Sequence, residues 1–144
     1  MTYVGSPYYM SPEQCKAEGY GEKSDIWSLG VIVFELANFT PPFTATNHLA
    51  LALKIIEGKF ERIPMNYSDE LMRVIKWMLQ VKQEDRPNIE DLLNLPNVSI
   101  RLRERALRRK MCSLKQKETQ IQAKEKQLHA KTKQLKEREQ KVLQ

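Results

Sequence analysis

Residues 3–13 read Tyr3-Val4-Gly5-Ser6-Pro7-Tyr8-Tyr9-Met10-Ser11-Pro12-Glu13. The end of this stretch has the chemistry of a helix start. Ser11 can cap, Pro12 suits the first helical position, where its missing N–H costs nothing, and Gln14 completes an S-x-x-Q capping box. Gly19 and Gly21 then break the helix, so it is short. The stretch as a whole reads like a hinge, which raises the question of what it is built to hold.

Outward from this point the pattern stays helical. Ser24-Asp25 opens a run from Ile26 to Leu36 that is long and uninterrupted enough to predict a helix, although Val31 to Val33 alone could pass for a strand. Its apolar residues fall on all faces, so such a helix needs covering on every side. Phe39 to Phe43, with two prolines, is a loop. Asn47 to Glu57 forms a helix stopped by Gly58. Ser68-Asp69-Glu70 supplies a cap and two first-turn carboxylates for a helix to about Val81, with Leu71, Val74, Ile75, Met78 and Leu79 on one face. Asn88 caps a last short helix that buries Leu92 and Leu93 and ends before Pro96. The expected body is about five helices without a strand.

Charge divides the chain more informatively than its total of +6. Residues 1–100 sum to −4 and residues 101–144 to +10, and the last proline is Pro96. The expected organisation is a globular part over 1–97 and a basic helix over 98–144. Cys15 and Cys112 are far apart and fit no ligand spacing, as suits a reducing compartment. His48 and His129 lack a nearby ligand set, so no metal site is expected. No apolar stretch approaches the ~20 residues of a membrane span, and no secretory signal pattern occurs. A soluble intracellular protein without membrane contact is the expectation.

Four short patterns then occur in order: Gly5-Ser6-Pro7-x-Tyr9-x-Ser11-Pro12-Glu13, Asp25-x-Trp27-Ser28-x-Gly30, Pro42-Phe43 and Arg86-Pro87. Together they resemble the second half of the C-terminal lobe of a eukaryotic protein kinase. The wording around them is similar to the NIMA-related serine/threonine kinases, from residue 1 to about 97. The resemblance implies an all-α fold: the C-terminal half of the kinase large lobe, followed by a long coiled-coil helix. It implies that Ser11-Pro12-Glu13 matches the A-P-E motif closing the activation segment, with Ser for Ala, and that Glu13 pairs with Arg86 inside the lobe. Asp25 would accept backbone N–H bonds from the catalytic loop, and Trp27 and Gly30 would belong to the same structural motif. Gly5, Ser6, Pro7 and Tyr8 would form the loop that receives the substrate residue after the phosphoacceptor. Thr2 would fall at the position commonly phosphorylated for activation.

The phosphoryl-transfer parts themselves are not found. Such chemistry needs positioned phosphates, metal ions and a group orienting the nucleophile. The glycines at 5, 19, 21, 30 and 58 make no G-x-G-x-x-G, and neither His-Arg-Asp nor Asp-Phe-Gly occurs. The expectation is a truncated piece with no catalytic residue and no cofactor of its own, ATP and magnesium belonging to the parent family. The alternative is part of an active ATP-dependent kinase, whose protein substrates would be engaged only with the remainder present. In isolation the face of the Asp25–Leu36 helix normally covered by upstream elements would be exposed, leaving the body loosely packed.

In the tail, Leu107, Leu114, Ile121, Leu128, Leu135 and Val142 recur every seven residues, and four heptads repeat: KETQIQA, KEKQLHA, KTKQLKE and REQKVLQ. A column at period 3.5 on a helix free of Pro and Gly predicts a coiled coil over 101–144. Its second seam is poor. One register places Met111, Glu118, Glu125, Thr132 and Glu139 there; the other places Lys110, Lys117, Lys124, Lys131 and Arg138. The expected partner is a second copy or an intact kinase, as the family resemblance also implies, with a cytoplasmic, cytoskeletal, centrosomal or nuclear location. A further reading is a basic coiled-coil binding module, although the lack of interleaved aromatics argues against nucleic acid.

Overall fold

The structure, a computed structural model, describes residues 6–19 and 21–142; Thr2 and Gly5 lie outside them. Among the described residues there are six α-helices: α1 (Pro12–Cys15), α2 (Glu22–Asn38), α3 (His48–Glu57), α4 (Asp69–Met78), α5 (Ile89–Leu93) and α6 (Pro96–Val142). Short 3-10 turns at Pro7–Tyr9 and Gln83–Asp85 complete the secondary structure, with no strand among the described residues. The chain divides into two units, residues 1–94 and 95–144.

In the first unit α2 packs against α4, α1 against α3, and the Pro7–Tyr9 turn against both α2 and α3. The inward side of α2 is the stripe Trp27, Gly30, Val31, Phe34 and Ala37, spaced by three and four residues. Against it Phe43 stacks on Trp27 with centroids 5.7 Å apart, and Phe60 meets Phe34 and Phe43 edge-on at 5.6 and 5.8 Å. Offset and edge-to-face contacts are the arrangements that aromatic quadrupoles favour. The proline-rich loop thus does more than connect, since it delivers Phe43 to the core. Leu29, Ile32 and Leu36 lie on the other side of α2 and are exposed, Leu36 by 71%, as expected of a helix apolar on all faces.

Helix ends follow their caps where the capping side chain has no other task. Asn47 accepts the Ala50 N–H at 2.8 Å and Ser68 the Leu71 N–H at 3.2 Å. Asn88 and Asp91 exchange bonds of 2.7 and 2.9 Å in a capping box. Gly58 ends α3 at φ +70, where a Cβ would sit 2.3 Å from Val81 Cγ2, so glycine is needed for both reasons.

Three expectations need correction. Helix α2 begins at Glu22, not at Ser24-Asp25, because the Ser24 hydroxyl bonds Glu13 and is not free to cap. Helix α4 stops at Met78, with Leu79 leaving helical geometry, rather than reaching Val81. The released carbonyls of Gln80 and Val81 turn to Arg86. Leu93 is 43% exposed, because the five-residue α5 turns only Leu92 inward. Met72, absent from the expected face of α4, is buried there.

The second unit is α6. It starts at Pro96, two residues before the expected basic helix of 98–144 and ahead of the coiled coil expected from 101, with proline in the first-turn position it tolerates. Its 47 residues extend about 70 Å at 1.5 Å per residue.

Gly30 faces the end of α4 at close range: a Cβ there would lie 2.9 Å from Met78 Cβ and 3.0 Å from Leu79 Cδ2. Overpacking of this kind costs roughly 1–3 kcal/mol, more than the ~1 kcal/mol of helix propensity that alanine gains over glycine. Gly30→Ala should therefore lower the urea midpoint of the chain. An unchanged or raised midpoint would mean that the two helices can separate freely.

Candidate functional site

The only charged side chains buried in the first unit, among the described residues, are Glu13 and Arg86. They come from α1 and from the segment just after the Gln83–Asp85 turn, 73 positions apart. A guanidinium has five N–H groups, and every one has an acceptor here. Nη1 donates to Glu13 Oε1 and to the Lys23 carbonyl, both at 2.8 Å. Nη2 donates to Glu13 Oε2 at 2.7 Å and to the Val81 carbonyl at 3.1 Å. Nε donates to the Gln80 carbonyl at 2.7 Å.

The surroundings complete the site. The Ser24 hydroxyl gives Glu13 Oε1 a further bond of 2.6 Å. The guanidinium carbon lies 5.0 Å from the centroid of the Trp27 ring, so a cation–π contact supports its flat face. Lys23 Nζ donates to the Arg86 carbonyl at 2.6 Å. At the start of α1, Gln14 Oε1 accepts the Ser11 N–H at 2.9 Å, the backward half of the expected capping box. Ser11 and Pro12 are buried beside Glu13.

Burial alone would push the Glu13 carboxyl up. The hydrogen bonds from Arg86 and Ser24 outweigh it and hold the group at about 2, against an ordinary 4.5. Nearby, burial pushes the Cys15 thiol up and the Glu13 carboxylate adds to the shift. A thiol held protonated in this way is a poor nucleophile.

One turn upstream is the loop to which the family resemblance gives a substrate-docking role as an expectation. Ser6 and Tyr8 are exposed and Pro7 is half-buried. Tyr9 fixes the loop to α2 from two sides. Its hydroxyl donates to Glu35 Oε2 at 2.7 Å, and its carbonyl accepts from Ser28 Oγ at 2.9 Å. Accepting that bond, and then its negative charge, the Glu35 carboxylate raises the Tyr9 phenol above its usual range. The loop edge is therefore presented outward from a rigid helix.

Of the residues singled out from sequence, Pro12, Glu13, Trp27 and Arg86 converge on one cluster. Gly30 serves the α2–α4 crossing instead, and Asp25 is exposed on the first turn of α2. Leu107, Leu114, Ile121, Leu128 and Leu135 lie exposed along α6. Sequence reading missed the supporting partners Tyr9, Lys23, Ser24, Ser28 and Glu35. Tyr9 and Ser28 stood within the quoted patterns, whereas Lys23 and Glu35 carry no signal beyond ordinary helix-surface charge. Among the described residues no three His, Cys, Asp or Glu side chains gather as a metal site, and no helix is long and apolar enough to cross a membrane.

A carboxyl lowered in the folded state stabilises the fold fully above its unfolded pKa, here near 4.5, and that contribution fades as pH falls toward about 2. Between pH 6 and pH 3 this one residue should withdraw about 2 kcal/mol. Glu13→Gln leaves the Arg86 charge buried without its counterion, so it should cost about 3–5 kcal/mol at neutral pH. It should also flatten the acid limb of a plot of urea stability against pH. A variant as acid-sensitive as the parent would show that Glu13 does not carry this linkage.

The protein kinase domain family matches residues 1–98. The chain is 54% identical over 98 residues to the human serine/threonine-protein kinase Nek2, an alignment covering 68% of this chain and 22% of that protein. It is 52% identical over 104 residues to the G2-specific protein kinase nim-1 of Neurospora crassa, covering 72% and 12%. With the G2-specific protein kinase nimA of Emericella nidulans it shares 48% over 103 residues, covering 72% and 15%. The chain thus spans less than a quarter of the length of these relatives. With the buried Glu13–Arg86 pair and the helical frame around it, these matches show that the chain belongs to the protein kinase family, in its NIMA-related serine/threonine branch.

Proposed function

We propose that residues 1–98 supply the substrate-docking and lobe-closing half of a NIMA-related serine/threonine kinase, and that the 144 residues by themselves transfer no phosphoryl group. The observation that carries this reading is the fully satisfied Glu13–Arg86 pair, which fixes the start of α1 just after the exposed Ser6–Tyr8 edge, itself held to α2 through Tyr9. The residues present do not suit ATP or magnesium. Gly30 is spent on a helix crossing and Gly58 on a helix cap, not on a phosphate cradle, and the described carboxylates form no metal cluster. Joined to the remaining kinase elements, the same unit would position a protein substrate, and the chemistry would come from those elements. The family likeness supports an intracellular, cytoplasmic setting.

Incubated with ATP, magnesium and casein, the recombinant chain should incorporate no phosphate above a heat-killed control. Incorporation that co-purifies with the chain and scales with its concentration would overturn this reading.

The second part of the proposal concerns α6. Leu107, Leu114, Ile121, Leu128 and Leu135 are each more than half exposed, so an isolated helix leaves the whole column in water. Covering a leucine is worth roughly 1.5–3 kcal/mol, and a column of period 3.5 is covered by a second helix of the same kind. The partner is a second copy of the chain or an intact kinase carrying the same helix. Sedimentation equilibrium should show a dimer at roughly 100 μM, a range in which a weak coil with only one good seam is still occupied. Leu128→Asp with Leu135→Asp should return it to monomer. A parent chain that stays monomeric throughout would exclude the pairing.

A further inference from the structure

The positive charge of α6 is unevenly distributed along the helix. Residues 101–117 hold eight Lys or Arg and one Glu, a net +7, whereas residues 118–144 net only +3. That single acid, Glu104, is 3.5 Å from Arg101. The basic stretch also has an apolar stripe. At 3.6 residues per turn, Ile100, Leu107, Met111 and Leu114 share a sector roughly 60° wide, and all four are exposed. Arg108 and Lys115 flank the stripe on one side and Lys110 and Lys117 on the other, while Arg105 and Arg109 occupy the opposite face.

Self-pairing is weakest over this stretch. A parallel, in-register dimer would set one +7 segment against another, and like charges at such spacing repel. The repeats after residue 117 escape most of this repulsion. A membrane surface suits it little better, since Arg105 and Arg109 would point away from the lipid and no aromatic side chain stands at the polar–apolar edge. Nucleic acid would neutralise the cations but leave the stripe in water. A partner that surrounds the helix satisfies both properties at once. Anchors at i, i+4 and i+7 (Leu107, Met111 and Leu114) are the spacing by which a helix enters an apolar groove, and encircling cations call for an acidic rim.

We propose that residues 98–117 form a docking helix for a calcium-loaded, acidic EF-hand-type protein. Its methionine-rich groove opens only with calcium and adapts to aliphatic anchors. Lys117 apart, the docking segment lies ahead of the four repeats left for self-pairing, so occupying one leaves the other available.

Calcium-loaded calmodulin is the probe, titrated into the full 144-residue chain at about 0.15 M salt. The expected result is one calmodulin per chain, with binding abolished by a calcium chelator. The triple variant L107Q/M111Q/L114Q keeps every charge and should weaken binding at least about thirtyfold, with helicity checked by circular dichroism. L128D/L135D should bind as the parent does, even where it no longer dimerises, which separates this proposal from the pairing of the later repeats. Three results would overturn it: no calcium-dependent binding, equal binding by the triple variant, or preference for phosphatidylserine–phosphatidylcholine vesicles over calmodulin.

Discussion

Five N–H groups of one guanidinium hold the first unit together. Removing Arg86 and Glu13 from water is costly, and their mutual attraction offsets that cost only when each remaining donor and lone pair is also used. The requirement reaches well beyond the pair. It draws Ser24 away from capping α2, so that helix begins a turn earlier at Glu22. It requires the carbonyls of Gln80 and Val81, so α4 ends at Met78. It takes the carbonyl of Lys23, while Lys23 Nζ in turn bonds the Arg86 carbonyl. Three segments distant in sequence are thus positioned by the geometry of one planar cation.

From that frame the placement of the Ser6–Tyr8 edge follows mechanically. Residues 11–13 are immobilised by burial and by Glu13, and Tyr9 is held two positions earlier by Ser28 and Glu35 of α2. The Pro7–Tyr9 turn is thus held at its C-terminal end, where Tyr9 meets α2. Helix α2 therefore works on two sides, its Trp27 face gripping Arg86 and Phe43 while its Ser28 and Glu35 positions steady the loop. The Trp27 indole nitrogen is buried without a hydrogen-bond partner among the described residues. Its ring is placed by stacking on Phe43 and by the Arg86 guanidinium over it instead of by that donor.

The elements that a sequence reader can place are those whose ends have local causes. Asn47, Ser68 and Asn88 cap, and Gly58 stops α3, as their side chains dictate, so α3 and the starts of α4 and α5 were legible. The misplaced ends, the start of α2 and the stop of α4, are those set from outside the helix by the Glu13–Arg86 pair, through Ser24 and the Gln80 carbonyl, 11 and 6 positions away. Local propensity contains nothing of that contact. Glu13 and Arg86 were paired in advance only because the surrounding motifs resembled a family; their spacing alone suggests nothing. The supporting residues Ser24, Ser28 and Glu35 were hidden for a related reason: a small hydroxyl or a helix carboxylate reads as surface until a partner from another element is brought to it.

Helix α6 shows the opposite limit, where the pattern is plain and the three-dimensional context adds little. Its leucine column is continuous from Leu107 to Leu135, so hydrophobic period alone treats the helix as one object. Charge divides it. The first part surrounds its apolar stripe with cations, and the second mixes Lys with Glu and repeats nearly the same heptad four times. A hydrophobic seam contributes free energy only when its flanks can be brought together, and Coulomb repulsion between like segments grows with the number of charges on each. The same column can thus favour two different occupants along its length, with the change near residue 117, where the repeats begin.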